Sequence, residues 1–226
     1  MKKCLTMLLP LMLFILTLAI SPSLGEAIKV QVKIPVPPKI STDGVKKILV
    51  ASFITGTNID FDVNREIVRL LKSELRKKGN FTILDVPPPS LPEQTVEEIK
   101  NNYQFWKHLG EEYDANLILS GTIDFHSVNR SGFVNRDDIN TVTGQKVRRT
   151  VYAEREEFKM EFSLFFFRGL NGAFLYEDNF SDSAIFEGTS NDALQVFYDF
   201  NDRIKDEIAG IVTPQSREEQ RFIFFE

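Results

Sequence analysis

The sequence has few of the residue types that usually form catalytic sites, metal sites or disulfides. Its 226 residues include one cysteine, Cys4, one tryptophan and two histidines, His108 and His126. A single cysteine excludes an intrachain disulfide and a zinc site built from several thiolates, and the two histidines lack a metal-ligand spacing. The chain also lacks a glycine-rich phosphate loop and a nucleophile-elbow motif. These absences predict no catalytic residue, no metal and no cofactor, and therefore a protein that is not an enzyme.

The first 25 residues resemble a leader. Lys2 and Lys3 precede the uncharged stretch LTMLLPLMLFILTLAI, which small residues follow. This order predicts a signal peptide over residues 1–25, with cleavage between Gly25 and Glu26. The alternative is an uncleaved anchor, although 16 apolar residues are fewer than the roughly 20 that a membrane span needs.

The charge balance is acidic. The chain has 27 Lys and Arg residues against 32 Asp and Glu residues, a net charge of −5. Removal of the leader takes away two lysines and leaves 25 against 32, or −7. An acidic chain is a poor partner for nucleic acid and for anionic lipid, so neither is expected. Because Cys4 lies inside the leader, no cysteine follows the apolar stretch to carry a lipid.

The segment 26–45 predicts a strand and a proline-rich spacer. Its stretch AIKVQVKIP alternates between apolar and polar residues, which is typical of a half-buried edge strand. The apolar residues share one face: Ile28, Val30, Val32 and Ile34. We interpret this row as an interaction strand that pairs with its own sheet or with the edge of a neighbour. The spacer PVPPKISTDG cannot continue a sheet.

The rest of the chain, residues 46–226, predicts a single α/β domain. Apolar runs suited to strands (KKILVASFI, NFTILDV and DANLILSGTIDF) alternate with amphipathic helical patterns. Asp62 is placed to cap the first helix, and Thr95 with Glu98 forms a capping box. The pattern predicts a mixed β-sheet of about five or six strands with helices packed on it.

The phenylalanine-rich stretch FSLFFFRGLNGAFLYEDNF predicts a buried hairpin. Its Asn-Gly turn favours a left-handed Gly172 in a three-residue loop. That loop places Phe166 opposite Tyr176 and Phe162 opposite Phe180. A two-residue loop would instead place Phe166 opposite Glu177.

Further aromatic residues leave alternatives open. Phe165 and Phe167 lie on the opposite face of the same strand, so either the domain covers both faces near the turn or a partner does. Tyr103 and Trp106 either form an aromatic binding patch or seat a short helix on the sheet.

Two acidic pairs are the remaining candidates for chemistry. They lie in NIDFD, which ends at Asp62, and in RDD, which contains Asp137 and Asp138. Each pair could contribute to a cation site, but helix capping and solvated loops explain them more simply.

The stretch from Lys46 to Phe125 resembles an envelope family. KKILVASFI, the helix, LRKKGNFTILD and FWKHLGEEYDANLILSGTID are similar to the α/β domain of CsgG-type curli secretion proteins, TolB N-terminal domains and LpoB-like activators. The resemblance extends more loosely over residues 46–213. It implies a periplasmic domain that acts through contacts with other proteins and has no catalytic residues.

The chain departs from that family in two respects. CsgG-type channels and LpoB-type activators are lipoproteins, and this chain has no cysteine in the required place. The channels also insert hairpins into the outer membrane, whereas residues 129–157 are rich in Arg, Asp and Glu and predict a long loop or an exposed hairpin.

The expected function is therefore a non-catalytic binding or assembly factor of the cell envelope. It would be exported to the periplasm or the periplasmic face of the outer membrane. Its partners would be envelope proteins or a second copy of the chain, with peripheral membrane association left open. The alternatives are a subunit of an outer-membrane secretion complex and a periplasmic hydrolase that uses acidic loop residues.

Overall fold

A computed structural model describes residues 27–56, 59–139, 141–188 and 191–224. Within these ranges the chain forms two compact units. The smaller contains the residues up to Val36 together with those from Ser216 onward, and the larger runs from Pro37 to Gln215. The predicted cleavage site at Gly25 and Glu26 lies outside the described residues.

The larger unit contains four helices and a five-stranded mixed sheet. The helices are α1 (Val63–Lys78), α2 (Val96–Asn101), α3 (Tyr103–Glu112) and α4 (Ala193–Val212). The strands of the sheet are β2 (Lys47–Thr55), β3 (Thr82–Ile83), β4 (Leu117–Asn129), β7 (Arg155–Arg168) and β8 (Phe174–Glu187). Their order is β3-β2-β4-β7-β8, with β2 parallel to β3 and β4, and the β4–β7 and β7–β8 pairs antiparallel. The predicted α/β class is confirmed.

Two helix starts confirm their predicted caps. The carboxylate of Asp62 accepts a hydrogen bond from the backbone N–H of Arg65 at 3.0 Å and so satisfies a free donor of α1. Thr95 and Glu98 form the predicted capping box at the start of α2, each accepting a hydrogen bond from the other's backbone N–H.

The first face of the sheet packs under α1 and α4. Alternate residues of β7 point into this layer, and the phenylalanines among them are fully buried: Phe158, Phe162 and Phe166. Gly172 has a φ of +69° and makes the left-handed turn. Phe162 lies opposite Phe180 and Phe166 opposite Tyr176, so the predicted register is confirmed.

The second face is covered near the turn by α2 and α3. Phe165 and Phe167 are buried there with Trp106, whose indole N–H donates to the Ile99 carbonyl at 2.7 Å. The domain itself therefore covers both faces of β7 at this end. Trp106 seats its helix on the sheet, whereas Tyr103 is exposed.

Within the segment from 129 to 157, residues 132–153 form a hairpin that is a separate two-stranded sheet. Its strands are β5 (Gly132–Ile139) and β6 (Lys146–Ala153), which pair antiparallel along their whole length. The β4–β7 ladder runs to Asn129 and Glu156, and the hairpin begins just beyond it. We call residues 132–153 the arm.

The smaller unit is a two-stranded sheet of β1 (Ala27–Val36) and β9 (Gln215–Phe224). The predicted N-terminal strand therefore exists, and its partner is the C-terminal strand. Residues 221–224 of the aromatic C-terminal stretch belong to β9.

Candidate interaction surfaces

The two histidines contact single carboxylates. Nε2 of His108 lies 3.8 Å from Glu112, and Nδ1 of His126 lies 3.4 Å from Asp124. Within the described ranges, no group of three or more His, Cys, Asp and Glu side chains is arranged to hold a metal ion.

Three acidic side chains of the two pairs have structural partners. Asp62 caps α1, while Asp137 and Asp138 lie 3.3 Å and 3.9 Å from Arg148 and Arg149 of the opposite strand. Asn58, at the start of the first acidic stretch, lies outside the described residues. Helix capping was the expected role of Asp62. Asp137 and Asp138 lie on β5 and not in the expected solvated loop, and they are ion-paired with the opposite strand.

No helix in the described part of the chain is long and apolar enough to cross a membrane. Three exposed features are candidates for interaction: the apolar side of β1, one side of the arm, and a groove between α1 and α4.

The first surface is the apolar side of β1. Ile28 is 51% exposed, Val32 36% and Val36 39%, and between them Val30 and Ile34 are half-buried. The predicted interaction residues are thus arranged along one strand, but fewer of them are buried than the alternating pattern suggests. In β9, Phe222 and Ile223 are also exposed, and as neighbouring residues of a strand they point to opposite faces.

The lysine side of β1 contacts β9. The Lys33 ammonium lies 3.5 Å from the Glu218 carboxylate, and that of Lys29 lies 5.8 Å from the centre of the Phe222 ring. These contacts place β9 side chains beside the polar residues of β1. The apolar row of β1 keeps its exposure.

The second surface is one side of the arm. Directly paired residues of β5 and β6 share a face. One such face carries Phe133 with Tyr152, Asn135 with Thr150, Asp137 with Arg148, and Ile139 with Lys146. Phe133 is 78% exposed and Tyr152 59%, and their rings meet edge to face at 5.5 Å. An exposed aromatic pair of this kind is typical of a contact site.

Ion pairs hold the base of the arm. The guanidinium of Arg130 donates to Glu157 at 2.6 Å, and Arg136 pairs with Glu187 at the end of β8. The hydrogen bond from Arg130 lowers the pKa of Glu157, and Lys159 and His126 act in the same direction. The Arg136–Glu187 pair ties the arm to β8, and the Arg130–Glu157 pair lies beside the point where the arm begins.

The third surface is a groove between α1 and α4, with a volume of about 270 Å³. Its apolar side chains come from both helices: Ile67, Leu70, Leu71 and Ile208. Its charged side chains are Glu74, Asp199, Asp202 and Lys205, which gives the lining an excess of negative charge.

Charged and polar side chains around the groove are hydrogen-bonded to one another. Lys205 donates a hydrogen bond to Asp202, and this bond raises the pKa of Lys205 despite the opposing effect of desolvation. At one end, the Tyr198 hydroxyl donates to Glu66 at 2.6 Å. Burial raises the pKa of Tyr198, and the hydrogen bond to Glu66 raises it further.

Sequence reasoning missed both the aromatic pair and the groove. The available signal for the pair was two rings isolated among the charged residues of 129–157. The groove had no signal along the chain, because α1 and α4 are separated by more than a hundred residues.

Several solved structures are similar to this chain. A PelC dodecamer from Paraburkholderia phytofirmans aligns at 11% identity and a TM-score of 0.43, covering 82% of this chain and 98% of that one. A lipoprotein from Neisseria meningitidis aligns at 11% identity and a TM-score of 0.37, covering 73% and 98%. The LpoB C-terminal domain from Salmonella enterica aligns at 13% identity and a TM-score of 0.33, covering 62% and 86%. No protein-family model matches the chain, and no curated protein matches it.

Proposed function

We propose that this protein is an exported, non-catalytic binding or assembly factor of the cell envelope, of the CsgG, TolB N-terminal and LpoB-like type. It acts through the apolar side of β1, where Ile28, Val30, Val32 and Ile34 meet another envelope protein or a second copy of the chain. Its place is the periplasm or the periplasmic face of the outer membrane.

The observation that carries this proposal is the exposure of the β1 row. An isolated two-stranded sheet is only marginally stable in water, and a third strand or a packed layer stabilises it. Burial of apolar surface contributes about 25 cal/mol per Å². A partner that covers Ile28 and Val32, both now exposed, would therefore gain binding energy while stabilising the β1–β9 pair.

A partner can also recognise the backbone of β1. An edge strand offers backbone donors and acceptors for strand addition, and its side chains supply specificity at alternate positions. The resemblance of residues 46–125 to envelope domains that work through protein contacts supports the same conclusion. The hydrolase alternative finds no comparable support, since Asp62 caps α1 and Asp137 is ion-paired with Arg148.

Site-specific photo-crosslinking in the exporting cell tests the proposal. A photoreactive residue at position 32 lies on the apolar side of β1, and one at position 31, on the polar side, is the matched control. We expect position 32 to crosslink to a defined envelope protein or to a second copy, and position 31 to do so far less. Equal crosslinking from both positions, or none from position 32 in folded protein, would contradict the proposal.

A deletion tests whether the strand is detachable. Removal of residues 26–38 should leave the α/β unit folded, because the sheet and its helices lie within residues 46–212. Circular dichroism should keep its helical signal, while capture of the crosslinked partner is lost. Unfolding of the shortened chain would make β1 an integral part of the fold instead.

A further inference from the structure

The central segment of β1 reads the same in both directions. Residues 28–34 have the sequence IKVQVKI, with Gln31 at the centre. Because side chains alternate along a strand, the apolar side carries, in order, Ile28, Val30, Val32 and Ile34. This row presents the same order of side chains after a half-turn about its centre. An interface with two-fold symmetry requires this property, because a single patch must there contact its own copy.

The two lysines of this segment decide between two ways of joining two copies. Lys33 contacts Glu218 and Lys29 contacts the Phe222 ring, both on the face opposite the apolar row. Packing of one apolar row on another therefore brings no lysines together. Edge-to-edge pairing of two β1 strands centred on Gln31 would set Lys29 opposite Lys33 of the second copy. Like charges directly opposite each other destabilise a sheet, so packing through the apolar faces is favoured.

On the face of the apolar row, β9 contributes charged side chains that already have partners. Glu218 and Phe222 lie on the lysine side, so alternation places Arg217, Glu219 and Arg221 beside the row. The Glu219 carboxylate pairs with the guanidinium of Arg217 and lies 3.6 Å from that of Arg221. These charges need no partner from a second copy, and they can stay at the polar rim of an interface centred on the row.

We propose that two copies pack the apolar sides of their β1 strands face to face and antiparallel, about a two-fold axis at the level of Gln31. Ile28 then lies against Ile34 of the second copy, and Val30 lies against Val32. The exposed side chains of the row become buried, and each β1–β9 pair supplies the packed layer that the other lacks. This inference rests on the proposed function, in which the row is the interaction surface, and it commits the partner to a second copy.

Sedimentation velocity over a range of concentrations provides the first test, with the full chain purified from cells that export it. The wild type should form dimers and no larger species, because a two-fold contact uses up the patch of both copies. Val32→Asp places one carboxylate from each copy in the apolar contact and should weaken association at least about tenfold. Gln31→Asp introduces the same residue on the opposite face of the strand and should dimerise as the wild type does.

Photo-crosslinking of the purified chain provides the second test and gives the direction of the strands. A copy with a photoreactive residue is mixed with an isotopically heavy wild-type copy, and the attachment site is mapped by mass spectrometry. Position 28 should attach near Ile34 of the heavy copy, and position 34 should attach near Ile28. Position 31, on the lysine side, is the control and should give few crosslinks. This map remains decisive if Val32→Asp disrupts the β1–β9 pair.

The outcomes separate this inference from the proposed function. A wild type that is monomeric at every concentration overturns the two-fold dimer, as do crosslinks that join position 28 to Ile28 of the heavy copy. If position 32 also crosslinks in the exporting cell to a different envelope protein, the proposed function stands while the dimer fails. A dimer that Val32→Asp weakens and Gln31→Asp does not, together with the reversed crosslinks, supports the inference.

Discussion

Phe162 and Phe180 lie directly opposite each other across β7 and β8, with ring centroids 5.7 Å apart and ring planes 25° from parallel. Phe162 also contacts Phe53 of β2 at a centroid distance of 5.7 Å. Three strands of the sheet therefore meet through one phenylalanine beneath the helical layer.

Replacement of Phe162 by alanine should lower the free energy of unfolding by about 3–5 kcal/mol, because it leaves a cavity in a fully packed core. Chemical denaturation measures the change. Phe133→Ala removes the same ring from an exposed site and should stay within about 0.5 kcal/mol of the wild type. A Phe162→Ala protein whose melting temperature falls by only a degree or two would show that this core is not packed as described.

Gly121 allows β4 to approach β7 closely. A Cβ atom added there would lie 1.9 Å from the Ser163 carbonyl oxygen, so backbone must move to accept it. Gly121→Ala should cost about 1–3 kcal/mol or more through overpacking. Gly132→Ala is the matched control, since a Cβ there meets nothing within 4 Å. Thermal unfolding of both variants decides the matter, and equal melting temperatures would refute the close approach.

The capping box of α2 predicts a smaller effect. Thr95→Ala removes the hydroxyl that accepts from the Glu98 backbone N–H, and the lost cap should cost about 0.5–2 kcal/mol. Thr95→Ser keeps the hydroxyl and should restore most of the loss. The free energies of unfolding of the two variants test this. If serine is no better than alanine, the hydroxyl is not the stabilising group.

Acid should weaken the contact between Glu157 and Arg130 beside the arm. The hydrogen bond from Arg130 lowers the pKa of Glu157 in the folded protein. Because this pKa is lower in the folded than in the unfolded protein, the ionised carboxylate stabilises the fold at pH values above the unfolded pKa, about 4.3. That stabilisation is lost as pH falls through the folded-state pKa. Glu157→Gln should therefore show a smaller loss of stability on acidification than the wild type does.

Denaturation curves between about pH 6 and pH 3 measure this difference across the titration range of Glu157. Glu161→Gln, at an exposed position on the same strand, is the control for the change of charge. Identical pH dependence in the wild type and Glu157→Gln would show that the pair with Arg130 adds no stability.

The leader predicts a processed N-terminus. Cleavage after Gly25 gives a mature chain that starts at Glu26, so N-terminal sequencing of the exported protein should read EAIKV. Recovery of membrane-bound protein that retains the leader would identify an anchor instead.

Local features followed from the sequence because their physical causes are local. Asp62 and Thr95 cap helices through donors only a few residues away. The left-handed Gly172 sets the turn, and the turn sets the register that pairs Phe162 with Phe180. Alternation also identified which residues of β7 face α1 and α4.

Tertiary structure decided the features that join distant parts of the chain. The alternation of β1 shows which side chains share a face but not which strand will pair with it, and that partner is β9 at the other end of the sequence. Trp106 and Tyr103 looked equivalent in the sequence, yet only Trp106 stacks on Phe167, at a centroid distance of 3.9 Å. The groove likewise exists only because the sheet brings α1 and α4 together. Strand pairing and helix packing depend on contacts between residues far apart in sequence, and periodicity within a segment carries no information about them.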